Sequence, residues 1–270
     1  MPRFVTFLSD FGLQDDFVGT CHGVMKRIAP EVDIIDITHG VRPGAVLQGA
    51  LVLANTLPYM PEGIHLAVVD PGVGGIRRAL ALRDGCGRFH VGPDNGLLLP
   101  AAERFGGVVE AHELASPEYS IQPVSRTFHG RDLFAPAAAH LAVGVSIDAL
   151  GPPIDPGELV RLELPAPEVG QSRIRATVLA VDRFGNVALN VTRDQLDAIG
   201  VVPGTRIELA VRGDRYYAVA VRTFGDASPG DLILYEDSYR NVAVAVSRGS
   251  AAGLLGAEEG SELLIQVEAP

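Results

Sequence analysis

Short, mostly apolar segments that stop at an acid or another polar residue recur along the first part of the chain. Segments of this length that end in turn-forming residues are typical of buried strands. The strands predicted in this way are Phe4 to Leu8, Ile34 to Ile37 and Ile64 to Val69. Asp10 and Asp70 follow the first and the third of them, and so we expect both carboxylates at the strand ends where α/β proteins bind ligands.

The residues between these strands follow the helical rather than the strand period. Apolar residues from Phe17 to Ile28 share one face of a helix, for which Asp15 or Asp16 is a candidate N-cap. Ala45 to Leu57 repeats the pattern. Strands that alternate with helices predict an α/β N-terminal domain, in which helices cover both faces of a mainly parallel sheet.

The composition changes at a proline-rich passage, Gly151 to Gly170, which we expect to be extended and non-helical. We place the domain boundary there, between an α/β domain of residues 1–165 and a second domain of residues 166–270. Short strand-like segments separated by turn residues predict that the second domain is a smaller all-β, barrel-like domain. Its predicted strands are Ala176 to Val181, Val187 to Val191, Arg206 to Val211, Tyr216 to Val221, Leu232 to Tyr235 and Val242 to Val246.

The net charge and the number of cysteines limit the binding partners and the compartment that the chain can be expected to have. The chain has 22 basic and 33 acidic residues, and its net charge of −11 offers no electrostatic attraction to nucleic acid or to an anionic membrane. Cys21 and Cys86 are the only cysteines, too few for a disulfide framework and in keeping with a reducing compartment. Apolar stretches fall short of a membrane span, and the first residues lack an export signal. We therefore expect a cytoplasmic protein without nucleic-acid or membrane partners.

Three carboxylates lie close together in Ser9 to Asp16, where the first strand turns into the first helix. They are interpreted either as helix caps or as ligand groups, with Asp10 accepting from vicinal hydroxyls and Asp15 pairing with a cation. A hard-metal site is the third interpretation. The histidines show no metal-ligand spacing, and His22 and His39 are interpreted as packing or surface residues, so no metal is expected.

Other chemistry-bearing residues lie at predicted turns. The glycine-rich run from Asp70 to Arg77 is either a phosphate cradle or a tight turn with an aspartate–arginine surface pair, and it matches neither a Walker loop nor a dinucleotide fingerprint. His129 lies among small and charged residues, where a lone histidine is most often structural. In the second domain, residues 182–186 predict a hairpin turn and residues 235–241 a loop.

Taken together, these segments resemble one family along nearly the whole chain: the S-adenosyl-L-methionine hydroxide adenosyltransferases. Members of that family are adenosine-forming S-adenosylmethionine hydrolases related to the fluorinase and the chlorinase. Five blocks in the same order carry the resemblance. They are Ser9-Asp10-Phe11-Gly12 with Asp15-Asp16, Asp70-Pro71-Gly72-Val73-Gly74 with Arg77, Gly92-Pro93-Asp94-Asn95-Gly96-Leu97, Thr127-Phe128-His129-Gly130-Arg131-Asp132, and Asp182-Arg183-Phe184-Gly185-Asn186.

The resemblance implies that Asp70, Arg77 and His129 position and activate a water at the ribose C5′, so that S-adenosyl-L-methionine is hydrolysed to adenosine and L-methionine. On chemical grounds His129 would take the proton, Arg77 would stabilise the developing hydroxide, and Asp70 would orient the water or the imidazolium. The fluorinase has Tyr followed by Ser where this chain has His129-Gly130, which favours water over halide. Two alternatives stay open: a halide-dependent halogenase, and a non-catalytic protein that binds adenosine or S-adenosylmethionine.

The resemblance also implies a set of substrate-binding residues, no cofactor, and a homotrimer with sites at the subunit interfaces. Asp10 would hold the ribose hydroxyls, and Asp15 with Asp182 would hold the methionine ammonium. Any carboxylate contact from Tyr239 would have to come from its backbone N–H. The remaining implied contacts are Phe184 and Asn186 for adenine, Ser238 for the methionine carboxylate, Ser247 for the adenine edge, and Asn95 as a further substrate-binding residue.

Overall fold

The computed structural model describes residues 4–163 and 165–267, and the chain forms two compact units, residues 1–162 and 163–270. The domain ends proposed at residues 1 and 270 lie outside the described residues, and the boundary at residue 165 stays a prediction. The proline-rich passage is not wholly extended as expected. It contains a 3₁₀ turn, Pro156–Glu158, because the Asp155 carboxylate accepts the backbone N–H of Gly157 at 2.8 Å.

The first unit is built on a six-stranded sheet whose strand order is β2-β1-β3-β5-β4-β6. Its first three strands lie where the apolar segments predicted them. The strands are β1 (Phe4–Ser9), β2 (Asp33–Thr38), β3 (Ile64–Val68), β4 (Ala79–Asp84), β5 (Phe89–Pro93) and β6 (Val108–Glu113).

This sheet is mixed rather than mainly parallel, which corrects the prediction. β1 pairs in parallel with β2 and β3, and β3 pairs in parallel with β5, whereas β4 lies antiparallel between β5 and β6. The reason is local, because β4 and β5 are joined by a turn too short for a parallel crossover. The Asp84 carboxylate closes that turn by accepting the N–H groups of Cys86 and Arg88 at 3.0 and 2.9 Å.

Helices cover both faces of the sheet. α1 and α4 share an apolar core with Phe7 of β1, while α2 and α3 share a second core with Leu8, the next residue along the same strand. Within the described residues, no helix is both long and apolar enough to cross a membrane. The helices are α1 (Phe17–Ile28), α2 (Val46–Thr56), α3 (Leu99–Glu103) and α4 (Ala135–Ala142), the last continuing directly from a π-helical turn, Gly130–Phe134.

The N-terminus of α1 differs in one detail from the expected cap. Asp16 occupies the N-cap position, but its side chain makes no capping hydrogen bond. Its carboxylate instead accepts from the Thr20 hydroxyl at 3.1 Å. Asp15 is exposed beside it and does not cap the helix.

The second unit is a closed barrel of seven strands to which β7 adds an edge. The order is β14-β10-β11-β12-β13-β9-β8-β7, and pairing of β14 with β8 closes the ring. The six predicted strands are all present, whereas β7 and β14 were not predicted. The unit comprises β7 (Glu168–Val169), β8 (Arg173–Val181), β9 (Val187–Thr192), α5 (Arg193–Ala198), β10 (Arg206–Val211), β11 (Asp214–Ala220), β12 (Leu232–Glu236), β13 (Asn241–Val246), α6 (Ala251–Leu255) and β14 (Glu262–Val267).

A buried histidine in the first unit links stability to pH. His65 is fully buried, its Nδ1 lies 2.9 Å from the Thr6 hydroxyl, and His90 and Arg88 lie nearby. Burial, followed by electrostatic interactions with His90 and Arg88, lowers the pKa of His65 to about 3, although Asp84 opposes the shift. At His65 the unfolded chain therefore binds more protons than the folded chain between about pH 6.5 and 3.

We expect the free energy of unfolding to be highest above pH 6.5 and to fall as the pH drops towards 3. One such proton contributes a slope of at most about 1.4 kcal/mol per pH unit. Urea unfolding at pH 7.5, 6.0 and 5.0 measures the slope. Burial also lowers the pKa values of His129 and His140, so the comparison with His65→Gln is needed. An unchanged slope in that variant would exclude His65 as a source.

Candidate active site

Asp10 and Asp70 lie at the carboxyl ends of neighbouring parallel strands, as the sequence predicted. β1 and β3 pair so that Ser9 lies opposite Val68, and the Asp10 N–H donates to the Val68 carbonyl at 3.3 Å. Asp70 follows two residues after Val68. Parallel pairing therefore brings both carboxylates to one edge of the sheet.

Asp10 is half-buried, with a defined hydrogen-bond partner. Its Oδ2 accepts the Gly44 N–H at 2.8 Å. Burial raises the pKa of Asp10, and the negative charge of Asp70 adds to that rise, while the bond from Gly44 opposes it. A carboxylate in this position is suited to accept hydrogen bonds from neutral donors such as hydroxyl groups.

Asp70 holds the guanidinium of Arg77 in a two-point contact. Arg77 Nε lies 2.9 Å from Oδ1 and 3.1 Å from Oδ2, and a terminal nitrogen of the same guanidinium also contacts Oδ2. Both side chains are shielded, with 6% of Asp70 and 11% of Arg77 exposed. A two-point arginine–carboxylate contact fixes the plane of the guanidinium as well as its position. The segment does carry the aspartate–arginine pair of the tight-turn interpretation, but the pair is shielded rather than at the surface.

Arg77 also bridges to His129, which completes a contiguous set of three side chains. The terminal guanidinium nitrogen that contacts Asp70 lies 2.7 Å from Nδ1 of His129. Because arginine can only donate, Nδ1 must accept, and the proton of the neutral imidazole then resides on Nε2. Burial, and next the charge of Arg77, lower the pKa of His129, although Asp70 and Asp132 oppose the shift. His129 is therefore neutral at pH 7.

The expected role of His129 as the acceptor of the proton from water stays a prediction, and the hydrogen bonds seen here set a condition on it. Nδ1 is occupied by the Arg77 donor, and Nε2 already carries hydrogen. If Nδ1 carried the proton, its N–H would point at the N–H of the Arg77 guanidinium, and two hydrogen-bond donors would repel each other. In this structure Nδ1 of His129 accepts from Arg77, so His129 could take a proton there only after that contact is broken.

The loop that carries His129 is anchored by a buried carboxylate that the sequence analysis did not single out. Asp132, in the π-helical turn that begins directly after His129, is fully buried. Its carboxylate accepts the Ser125 N–H at 2.8 Å and the Arg131 Nε at 2.6 Å. These bonds tie the segment before His129 to the turn after it, so Asp132 is a positioning residue.

Gly130 is explained by packing. A Cβ at this position would lie 2.8 Å from Cζ of Phe11 and 3.3 Å from Cε2 of Phe128. The glycine thus lets the Phe11 ring, which follows Asp10, approach the turn that holds His129. The glycine that follows His129, where the fluorinase has serine, is therefore explained in part by packing against Phe11, whichever nucleophile is used.

Asn95 lies next to the set but uses its amide on the chain itself. Nδ2 donates to the Val69 carbonyl at 2.8 Å, and Oδ1 accepts the Leu97 N–H at 3.2 Å. Because Val69 immediately precedes Asp70, Asn95 fixes the turn that presents Asp70. Its expected role in binding substrate stays a prediction.

In the second unit, the loop between β8 and β9 presents an aromatic ring. Asp182 Oδ1 accepts the N–H groups of Phe184 and Asn186 at 2.8 and 2.9 Å, and its Oδ2 accepts the Asn186 amide at 2.7 Å. Phe184 is 73% exposed at the tip. Gly185 has a φ of +81°, and a Cβ there would lie 2.1 Å from the Ser250 hydroxyl oxygen. Asp182 therefore holds the loop together through three bonds.

The loop between β12 and β13 repeats this construction. Asp237 Oδ1 accepts the N–H groups of Tyr239 and Asn241 at 2.8 and 2.9 Å. The Tyr239 N–H is thus engaged within the loop, and a contact from it to a substrate carboxylate stays a prediction. Burial, followed by the charges of Asp182 and Asp237, raises the pKa of Tyr235 to about 12.

Because β9 and β13 are paired, the two loops extend from adjacent hairpins. The shared sequence pattern, Asp-x-aromatic-x-Asn at 182–186 and 237–241, was visible in the sequence but was not recognised as a repeat.

The remaining predicted residues have simpler surroundings. Asp15 and Ser238 are exposed on their loops. Ser247 is buried, and its backbone pairs with Gly230 and Asp231. Their roles in binding stay predictions.

Comparison with known proteins supplies the family. Residues 5–151 match the model for the SAM hydroxide adenosyltransferase N-terminal domain, and residues 176–264 match the corresponding C-terminal domain. A relative from Salinispora tropica named (R)-S-adenosyl-L-methionine hydrolase is 48% identical, over 97% of each chain.

A protein from Nocardia brasiliensis named fluorinase is 30% identical, over 97% of this chain and 96% of its own. The crystal structure of an uncharacterized conserved protein from Thermotoga maritima superposes with a TM-score of 0.90 at 35% identity, covering 97% of this chain and 99% of that one. The matched domains span both units of the fold, and the chain belongs to the SAM hydroxide adenosyltransferase family.

Proposed function

We propose that this protein hydrolyses S-adenosyl-L-methionine to adenosine and L-methionine. Family membership and the 48% identity to a relative named as such a hydrolase support the reaction class. The single observation that carries the proposal is the contiguous set of Asp70, Arg77 and His129 beside Asp10 at the strand ends. The set places a carboxylate, which can accept a proton from water, beside a fixed guanidinium, which can stabilise hydroxide-like charge.

The proposed chemical step is a displacement at C5′ of the ribose. A bond forms from the water oxygen to C5′ while the C5′–S bond breaks, and its electron pair stays on sulfur. The sulfonium becomes the neutral thioether of methionine, so the leaving group needs no acid. The water loses one proton, and the overall reaction converts the substrate cation and water into adenosine, methionine and one proton. Direct displacement inverts the configuration at C5′.

In this account Asp70 takes the proton from water and Arg77 stabilises the hydroxide-like oxygen. The guanidinium is permanently charged and is held by two contacts to Asp70, so its donors are set before the water arrives. Nδ1 of neutral His129 accepts a hydrogen bond from the Arg77 guanidinium and so helps to hold it in place. Holding the water oxygen about 3 to 3.5 Å from C5′, on the side opposite the sulfur, lowers the barrier by several kcal/mol more.

Substrate binding is assigned to groups in both units. Asp10 accepts from the ribose hydroxyls, and Phe184 offers an exposed ring for stacking on adenine. Asp182 mainly stabilises the loop that carries Phe184, because both of its carboxylate oxygens accept hydrogen bonds within that loop. The remaining contacts proposed from the family resemblance are Asp15 for the ammonium, Asn186 and Ser247 for adenine, and Ser238 for the carboxylate.

Product analysis tests the proposed function against its two alternatives. Purified protein is incubated with S-adenosylmethionine in buffers containing sodium fluoride, sodium chloride or sodium acetate, and the nucleosides are identified by mass. We expect adenosine and methionine in equal amounts in all three buffers. A 5′-halo-5′-deoxyadenosine product would identify a halogenase, and adenosine binding without turnover would identify a non-catalytic binding protein.

We further propose a homotrimer with sites at the subunit interfaces and a cytoplasmic location, on the strength of the family resemblance. Light scattering on the eluted protein should give three times the chain mass of 28.5 kDa. A monomer that retains full turnover would overturn the interface sites.

A further inference from the structure

Two imidazoles and a carboxylate meet beside β2, outside the contiguous set of Asp70, Arg77 and His129. His22 comes from α1, Asp36 from β2, and His39 from the residues just after β2. Asp36 Oδ1 lies 2.9 Å from His22 Nε2 and 3.0 Å from His39 Nε2. One ligand atom from each of the three residues lies within 4.8 Å of the others. We propose that His22, Asp36 and His39 bind a divalent transition-metal ion.

The state of His39 points to a ligand. Its side chain is only 2% exposed, yet its Nε2 makes no hydrogen bond to any of the described residues. Asp36 Oδ1 is close enough in distance, but the ring is not oriented to donate to it. A buried nitrogen without a partner costs free energy, and a metal ion on its lone pair would satisfy it.

The other ring nitrogen of His39, Nδ1, has a hydrogen-bond partner of the kind found in known metal sites. Nδ1 lies 2.7 Å from the Ser9 hydroxyl oxygen, which also accepts the Phe11 N–H at 3.3 Å. With Nδ1–H donating to Ser9, the lone pair is on Nε2, which lies 3.0 Å from Asp36 Oδ1. Metal-binding histidines almost always donate their other ring nitrogen to an outer partner in this way.

The donor set indicates which class of ion binds. Two imidazoles with one carboxylate suit zinc, cobalt or nickel, whereas magnesium and calcium prefer oxygen ligands. The side chains of His22 and Asp36 are 32% and 41% exposed, so an ion can enter from solvent and water can complete its coordination. The buried side of the cluster is closed by the Phe7 ring, whose centroid lies 4.7 Å from that of His39.

The test is a titration of the full-length protein after chelator treatment. Cobalt(II) is followed through its visible absorption bands, and zinc(II) through calorimetry and the midpoint of thermal unfolding. We expect one ion per chain and a higher unfolding midpoint with zinc, because the folded state binds the ion in preference to the unfolded state.

His22→Ala is the decisive variant, since His22 lies at the surface and outside the proposed catalytic groups. Loss of an outer partner already costs roughly 10- to 100-fold in metal affinity, so loss of a ligand should weaken binding at least as much. His140→Ala removes a partly buried histidine elsewhere in the same unit and should bind as the unaltered protein does.

Absence of binding, or equal affinity in His22→Ala, would overturn the proposal and leave a histidine–aspartate hydrogen bond in its place. Neither result bears on the hydrolysis, because the readout is the ion itself.

Discussion

Asp70→Asn is expected to lower kcat for S-adenosylmethionine hydrolysis by at least about 100-fold, with little change in KM. General bases contribute roughly 10²- to 10⁴-fold, and the amide cannot take a proton from water. The substituted side chain keeps one oxygen for Arg77 Nε, which now lies 2.9 Å from Oδ1, so the guanidinium retains a partner. Initial rates with purified, folded protein measure the effect.

The matched control is Glu110→Gln, which alters another arginine–carboxylate contact in the same sheet. Glu110 Oε2 lies 2.9 Å from Nε of Arg83, a distance equal to that between Arg77 Nε and Asp70 Oδ1. This pair is more exposed and is not part of the proposed site. Its variant should keep kcat within about twofold. Full turnover in Asp70→Asn would remove Asp70 from the chemistry.

His129 gives the second large effect, and two replacements separate its possible roles. His129→Ala removes the acceptor for Arg77 and should lower kcat by roughly 100-fold or more. In His129→Asn the amide oxygen can replace Nδ1, which lies 2.7 Å from the Arg77 guanidinium, without offering a base. If His129 holds Arg77, the asparagine variant should stay within about tenfold of the unaltered protein.

The pH profile supplies an independent readout. Burial and the charge of Arg77 lower the pKa of His129, so the imidazole is neutral above that pKa and gains a proton below it. A proton on Nδ1 would face the Arg77 donors, so kcat should fall once the pH drops below the lowered pKa of His129, with this limb weakened in His129→Asn. If His129 is instead the proton acceptor, the asparagine variant will be as inactive as the alanine variant.

The strands and the position of the acids could be predicted because the information is local. The apolar runs before Asp10 and Asp70 identify β1 and β3, and parallel pairing then brings their ends together. The mixed strand directions of the sheet could not be predicted from such local patterns. The antiparallel direction of β4 depends on a short turn that is closed by Asp84. β14 has the alternation of a strand, but its closing partner, β8, lies far away in the sequence.

Side-chain contacts between distant residues limited the prediction of the site. Arg77 and His129 are 52 residues apart, and only their contact reveals which imidazole nitrogen carries the proton. His22 and Asp36 are 14 residues apart on different elements, so their spacing gave no sign of a shared site with His39. The family resemblance supplied the proposed catalytic residues but not the hydrogen bonds between them.

Isotope labelling of the product tests the central claim most directly. The protein is mixed with S-adenosylmethionine in ¹⁸O-enriched water, and the nucleoside product is fragmented in a mass spectrometer. Attack by water at C5′ places one ¹⁸O atom on the 5′ oxygen of adenosine and leaves methionine unlabelled. Adenosine that carries no heavy oxygen at that position would contradict the account.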